Sequence, residues 1–167
     1  GNPIARRLMA GFDRAMFDLL ERARPVASVL EVGCGEGHLT AKLARFFPDA
    51  RVVGTDFSEE IIATARREHP SLRFETQSVY GIAGRGERPD LVVVSEVLEH
   101  LEEPERALRE LAALDPAHLF LSVPREPVWR VLNLARGKYV AALGNTPGHL
   151  QHWSRGGFLR LLARHFE

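Results

Sequence analysis

Leu30-Glu31-Val32-Gly33-Cys34-Gly35-Glu36-Gly37-His38 decides the architecture of this chain. An apolar, β-rich run enters a turn with glycine at every second place. Leu39, Leu43, Phe46 and Phe47 then recur at helical spacing until Pro48 stops them. A buried strand, a glycine turn and a helix start in direct succession bring bare backbone to one point. The next apolar strand, 51–55, runs into Thr55-Asp56-Phe57, which sets a carboxylate at the tip of the neighbouring strand. Such a layout suits a nucleoside-bearing ligand whose ribose is held by the acid.

Working outward, Ile4, Leu8, Phe12, Met16 and Leu20 recur every four residues and predict an amphipathic helix ended by Pro25. Residues 27–32 form strand one. Ser58 is an N-cap, with Glu59 and Glu60 favourably placed in the first turn of a helix that reaches about His69, before Pro70. Residues 72–76 are strand three, and Gly81, Gly84 and Gly86 make a loose loop without helical period. The almost unbroken apolar run 90–94 is strand four, as expected of a strand covered on both faces. Pro104, Leu108, Leu111 and Leu114 mark a helix, 118–123 strand five, 127 to about 135 a short helix and 144–148 a loop. Ser154 caps a last helix with Phe158, Leu161, Leu162 and Phe166 on one face. Strand and helix alternate throughout, which predicts an α/β fold: a three-layer, Rossmann-like parallel sheet. Ligands in such sheets sit beyond the strand carboxyl ends, and strands one and four should flank that crevice.

The 167 residues suit one domain spanning 1–167, with its N-terminal helix in 1–24. Lys plus Arg equals Asp plus Glu, 22 each, so net charge is zero and no electrostatic footprint for nucleic acid or an anionic membrane is present. Cys34 is the single cysteine, which excludes an internal disulfide and points to a reducing, cytoplasmic setting. No apolar run approaches the roughly 18 residues of a membrane span, and no signal-peptide pattern opens the chain.

Two cofactor classes use a glycine turn of this kind. A dinucleotide fingerprint, G-x-G-x-x-G, would require glycine at position 38, where His38 stands. The pattern is instead Gly33-x-Gly35-x-Gly37, led by Glu31 and carrying Cys34 inside. It resembles the first motif of class I S-adenosylmethionine-dependent methyltransferases, E-x-G-C-G-x-G, in the manner of the type 11/12 small-molecule enzymes. Asp56 matches the acid that this family places on the ribose hydroxyls, and Ser95-Glu96-Val97-Leu98-Glu99-His100 matches its segment after strand four. Together these motifs cover about residues 27–125.

The resemblance implies S-adenosylmethionine as cofactor. Glu31, Gly33, Cys34, Gly35 and Gly37 would surround its amino-acid end, Asp56 would take the ribose, Phe57 would lie against the adenine, and Glu96 would stand past strand four. The plain alternatives are a helix-start acid for Asp56 and core packing for Phe57, and Cys34 reads as a small packing residue. Where many members carry an adenine-binding acid after strand three, this chain has Gln77-Ser78-Val79. The resemblance also implies strand order 3-2-1-4-5. The chain stops after the last helix, so the C-terminal hairpin of the seven-stranded methyltransferase fold is lacking. A truncated chain is the expectation, with strand five an apolar edge open to a second copy.

Glu96, Glu99 and His100 stand beside the expected methyl position, and Gly148-His149 precedes the last helix, where small-molecule members of the family often carry a substrate-facing Gly-His. A narrower resemblance is to small-RNA 3′-terminal 2′-O-methyltransferases, which have E-x-x-E-H after strand four and a histidine four residues before a tryptophan, as His149 stands to Trp153. It implies Mg or Mn on Glu96, Glu99, His100 and His149. The other readings are a metal-free acid–base role for His100, His149 and Glu99, or helix-start capping and a substrate-facing wall. The expected function is methyl transfer to an oxygen of a small molecule or glycan, with specificity in the N-terminal helix and a substrate-side insert at 125–153. The alternatives are the metal-dependent RNA enzyme, a non-catalytic binding module and an NAD-dependent oxidoreductase. His38, His69, His118 and His165 belong to no motif.

Overall fold

The computed structural model of the chain describes residues 3–124 and 150–166. It contains a five-stranded, all-parallel sheet in the order β3-β2-β1-β4-β5, with β1 Ser28–Val32, β2 Arg51–Asp56, β3 Arg73–Thr76, β4 Leu91–Ser95 and β5 His118–Ser122. This is the expected strand order. β1 sits at its centre, Val32 beside Thr55 on one side and Val94 on the other. The strand order reverses there, so the crevice opens between the ends of β1 and β4.

Alternation along the strands decides which side chain meets which layer. Val29 of β1, Val52 of β2, and Leu91 and Val93 of β4 face a layer built from α1 (Pro3–Leu20) and α2 (His38–Phe46), where they bury Met16, Leu20, Leu43 and Phe47. Leu30, Val32, Val53, Val92 and Val94 face the opposite layer, made by α4 (Pro104–Ala113) and α5 (Arg155–Leu162) through Leu108, Leu111 and Leu161. Val92, Val93 and Val94 are fully buried. Burying each is worth about 1.5–3 kcal/mol, which is why an unbroken apolar run reads as a central strand. The helix α3 (Glu59–Glu68) packs Ile62 and Ala65 on Phe74 and Cys34. Its N-cap is Ser58, whose hydroxyl accepts the Ile61 N–H at 3.3 Å. Ser154 caps α5 by accepting the Gly157 N–H at 3.2 Å.

Three expectations shift. Among the described side chains of the α1 stripe, Met16 and Leu20 are buried, whereas Leu8 and Phe12 remain exposed. The glycine-rich segment expected to be loose forms a 3-10 turn, Ile82–Arg85, anchored by fully buried Ile82. β5 is an edge among the described residues, yet its apolar side chains are half-covered: Leu119 and Leu121 against one layer, Phe120 against the other. The short helix at 127–135, the loop at 144–148 and His149 lie outside the described residues, as does most of the 125–153 insert. Among the described residues no helix is long and apolar enough to cross a membrane.

Candidate active site

The carboxyl ends of β1, β2 and β4, with the loops that leave β3 and β4, enclose a cleft of about 630 Å³. That volume lies within the range of small-ligand sites. Gly33, Gly35, Asp56, Phe57, Gln77, Ser78, Glu96 and His100 of the sequence reading all line it.

The glycine turn is internally braced. The N–H groups of Gly33 and Cys34 both donate to the Thr55 carbonyl, at 2.7 and 2.9 Å, and Gly37 N–H donates to the Cys34 carbonyl at 3.0 Å. Backbone donors held this way are not waiting for a ligand; a buried turn must satisfy them itself. The three glycines therefore serve different ends. A Cβ on Gly33 would lie 2.4 Å from Val97 Cγ2, and one on Gly37 2.5 Å from the Phe74 ring, so both are dictated by packing within the protein. Only Gly35, at φ +54°, would project a Cβ into open space, with nothing within 4 Å, and it lies on the cleft wall.

Asp56 is fixed by the same turn. Its Oδ2 accepts the Gly35 N–H at 3.1 Å and its Oδ1 the Ser58 N–H at 3.0 Å. A carboxylate offers about four lone-pair positions. Two are spent on orientation, which leaves acceptors for two hydroxyls in the cleft. The helix-start alternative for Asp56 is in part right, since it does receive the Ser58 amide, but its carboxylate also faces the cleft. Phe57 beside it is 77% exposed, which removes core packing as its purpose. Gln77 N–H donates to the Asp56 carbonyl at 2.8 Å, and its side-chain NH₂ donates to the Ser78 carbonyl at 3.2 Å, so the Gln77 amide oxygen is the polar atom left for a ligand.

Glu31 and Cys34 are placed behind the turn and do not line the cleft. Glu31 is buried, its carboxylate accepting the Thr40 hydroxyl, and burial pushes its pKa up to about 8 against that hydrogen bond, with the Asp56 charge adding to the rise. Its backbone carbonyl accepts Thr55 Oγ1 at 2.9 Å. Cys34 packs under the turn; burial, with the Glu31 and Asp56 charges, pushes its thiol up to about 12, so it is no nucleophile.

Past β4 the chain turns sharply. Glu96 has φ +57°, a backbone region that costs an ordinary residue roughly 1–2 kcal/mol. Its N–H donates to the Ser122 carbonyl at 3.0 Å and its Oε1 accepts from Ser122 Oγ at 3.4 Å; loss of water around it raises the carboxyl above the ordinary range. Glu99 is turned inward and only 1% exposed, and both carboxylate oxygens are buried without a hydrogen-bond partner. Burial pushes its pKa up to about 7. Its backbone carbonyl accepts the amides of Leu150 and Gln151 at 2.8 and 3.0 Å, tying the segment before α5 to the cleft floor. His100 lines the cleft, half-exposed, with Nε2 4.0 Å from Glu99 Oε1.

Glu96, Glu99 and His100 are thus close in the chain, and Glu99 approaches His100, but the three do not bring one ligand atom each within 4.8 Å of one another. Among the described residues, the group of three metal-competent side chains with ligand atoms mutually within 4.8 Å is His38, Glu68 and His69. The inward turn of Glu99 and the Ser122 contact of Glu96 give the physical reason. The fourth expected ligand, His149, lies outside the described residues.

Sequence reading missed Tyr80, Val97, Leu101, Glu102 and Glu103, which complete the cleft. Tyr80 bridges the two loops: its hydroxyl accepts the Glu103 N–H at 3.2 Å and its ring lies 4.8 Å from the Arg106 guanidinium carbon. The signal available was positional, since both loops leave strand carboxyl ends beside the topological switch.

An open α/β sheet with this strand order, a braced glycine turn and an acid at the tip of β2 defines a nucleoside-binding, Rossmann-like protein. Residues 5–165 match the family described as methyltransferase domain. The chain belongs to that family, the class I S-adenosylmethionine-dependent methyltransferases. It is 36% identical over 126 residues to trans-aconitate 2-methyltransferase of Variovorax paradoxus, covering 71% of this chain and 49% of that protein. It is 30% identical over 153 residues to ubiquinone biosynthesis O-methyltransferase of Coxiella burnetii, covering 80% of this chain and 64% of that one. The chain thus spans about half of one relative's length and just under two thirds of the other's. The fold is also that of the plantazolicin methyltransferase BpumL, solved with a pentazolic desmethylPZN analog and SAH, at TM-score 0.67 and 18% identity over 98% of this chain and 70% of that one.

Proposed function

We propose that this chain binds S-adenosylmethionine in the cleft between β1, β2 and β4 and directs methyl transfer to an oxygen of a small-molecule acceptor. The observation that carries this is the Asp56 carboxylate, held by two backbone amides with its remaining lone pairs in the cleft, beside the exposed ring of Phe57. That pair suits a ribose diol and a flat base. The open space at Gly35 admits the rest of the molecule. Bound there, the sulfonium supplies an electrophilic methyl group.

The chain's own contribution is position and proton handling. Holding the acceptor oxygen about 3–3.5 Å from the carbon and in line supplies much of the rate. His100, on the cleft wall, takes the acceptor's hydroxyl proton where one is present. Glu99, 4.0 Å from His100 Nε2, steadies the imidazolium that results once its own carboxyl is ionised. Val97, Leu101 and Tyr80 exclude water from the reacting end. An oxygen acceptor is favoured because one relative is named an O-methyltransferase. His149 is assigned the second acceptor contact on sequence grounds.

Calorimetric titration with S-adenosylhomocysteine and with NAD, followed by a radiolabelled methyl-transfer screen over carboxylic acids, phenols and sugars, tests this. Saturable binding of the former alone, with label in an O-methyl product, is the expected result. Binding of NAD alone would indicate an oxidoreductase, and S-adenosylhomocysteine binding without turnover on any acceptor would indicate a binding module.

A further inference from the structure

Away from the cleft, His38 opens α2 and His69 closes α3, with Glu68 beside it. One ligand atom from each of the three lies within 4.8 Å of the other two. The imidazoles stand edge to face, ring centroids 5.8 Å apart. His38 Nδ1 is 3.9 Å from Glu68 Oε2, too long for a hydrogen bond, while its Nε2 lies 3.4 Å from Glu36 Oε2. His69 presses on the glycine turn, its Cδ2 3.1 Å from where a Gly37 Cβ would be, and its Nε2 is buried with no hydrogen-bond partner. A buried ring nitrogen left unpaired carries a desolvation cost that some partner should offset.

We infer that His38, Glu68 and His69 form a site for a first-row divalent transition cation, with Zn²⁺ the fitting member, that ties the start of α2 to the end of α3. Two imidazoles and one carboxylate are a recurrent zinc donor set, with a fourth place left for water. Around a tetrahedral ion with bonds of about 2.0–2.1 Å, ligand atoms stand roughly 3.3 Å apart. The present spread closes to that by small rotamer changes of His38 and Glu68, both surface side chains. The two nitrogens of His38 face different carboxylates: Nδ1 stands on the side of Glu68, and Nε2 on the side of Glu36. A carboxylate on the second nitrogen is the arrangement that fixes the tautomer of a ligating histidine. Imidazole ligands favour Zn²⁺ over Mg²⁺. The inference stands apart from the methyl-transfer reading and survives its failure.

Titrating the whole chain with ZnCl₂ by calorimetry, with thermal unfolding in parallel, tests it. One saturable site per chain and a thermal midpoint higher by about 5–10 °C at a hundredfold excess over Kd are expected. His38→Gln, at an exposed position, and His69→Gln should each abolish both effects; Glu68→Gln should weaken binding roughly tenfold or more. His118→Gln should change nothing. Cobalt substitution should give tetrahedral visible absorption bands in the native chain and none in His38→Gln. Absence of saturable zinc binding, or binding that persists unchanged in both His38→Gln and His69→Gln, overturns the assignment.

Discussion

At the residue scale, the cleft separates groups that hold the fold from groups that meet a ligand. Phe57 is exposed and touches little, so Phe57→Ala should leave the thermal midpoint within about 1–2 °C, a surface-substitution effect of about ±0.5 kcal/mol. It should weaken S-adenosylhomocysteine by up to about tenfold through lost aromatic contact, about 0.5–1.5 kcal/mol. Asp56→Ala should weaken it by about 10- to 150-fold, a charged hydrogen-bonding group being worth about 1.5–3 kcal/mol. Equal affinity of either variant and the parent would remove that residue from the site. The glycines divide similarly. Gly37→Ala drives a methyl to 2.5 Å from the Phe74 ring at φ +85° and should cost about 3 kcal/mol or more. Gly35→Ala meets open space and should cost about 1 kcal/mol, while its methyl obstructs the cleft. Thermal melts with ligand titrations check the contrast. Asp56, Phe57 and Gly35 were legible in the sequence because strand ends and turn residues follow from local pattern. The reason for Gly33 and Gly37 was not, because Val97 and Phe74 reach them from 64 and 37 positions away.

At the scale of elements, the junction of β1 and α2 carries a buried acid. Glu31 has a pKa of about 8 in the fold against 4.5 for an ordinary glutamate. Between those values the folded chain keeps a proton that the unfolded chain releases. Stability from this group is therefore full below about pH 4.5, falls by roughly 1.4 kcal/mol per pH unit as pH rises, and levels off above about pH 8. Glu31→Gln keeps an acceptor for Thr40 and cannot titrate. Its thermal midpoint relative to the parent should rise between pH 5.5 and pH 8.5; parallel curves would show that Glu31 is ionised in the fold. The element boundaries were readable within a residue or two where capping chemistry set them, as at Ser58 and Ser154. The 3-10 turn Ile82–Arg85 was not, because its order comes from Ile82 dropping into a core made by α4 and β4. The inward rotation of Glu99 was equally hidden. E-x-x-E-H states a spacing, and only the tertiary contacts of Leu150 and Gln151 with its carbonyl show which way the turn is held. His38 and His69 meet for the same kind of reason: no local pattern joins positions 31 residues apart, and the fold that sets the start of α2 beside the end of α3 does.

At the scale of the molecule, the parallel sheet gathers the ends of β1, β2 and β4 around one cleft, and everything proposed for that cleft depends on their common direction. Alternating strand and helix patterns made a parallel sheet legible and leave few topologies, and the order 3-2-1-4-5 followed from the family resemblance carried by the glycine turn, Asp56 and the segment after β4. A ligand that binds only the folded cleft raises stability by mass action, about 2.7 kcal/mol at a hundredfold excess over Kd. S-adenosylhomocysteine at that excess should raise the thermal midpoint by about 5–10 °C, and NAD should leave it unmoved. The most direct measurement is the structure of crystals soaked in S-adenosylhomocysteine. The expected density shows the ribose hydroxyls on Asp56, the adenine against Phe57 and the amino-acid end over Gly35; an empty cleft, or the nucleoside bound on another face, would contradict the assignment.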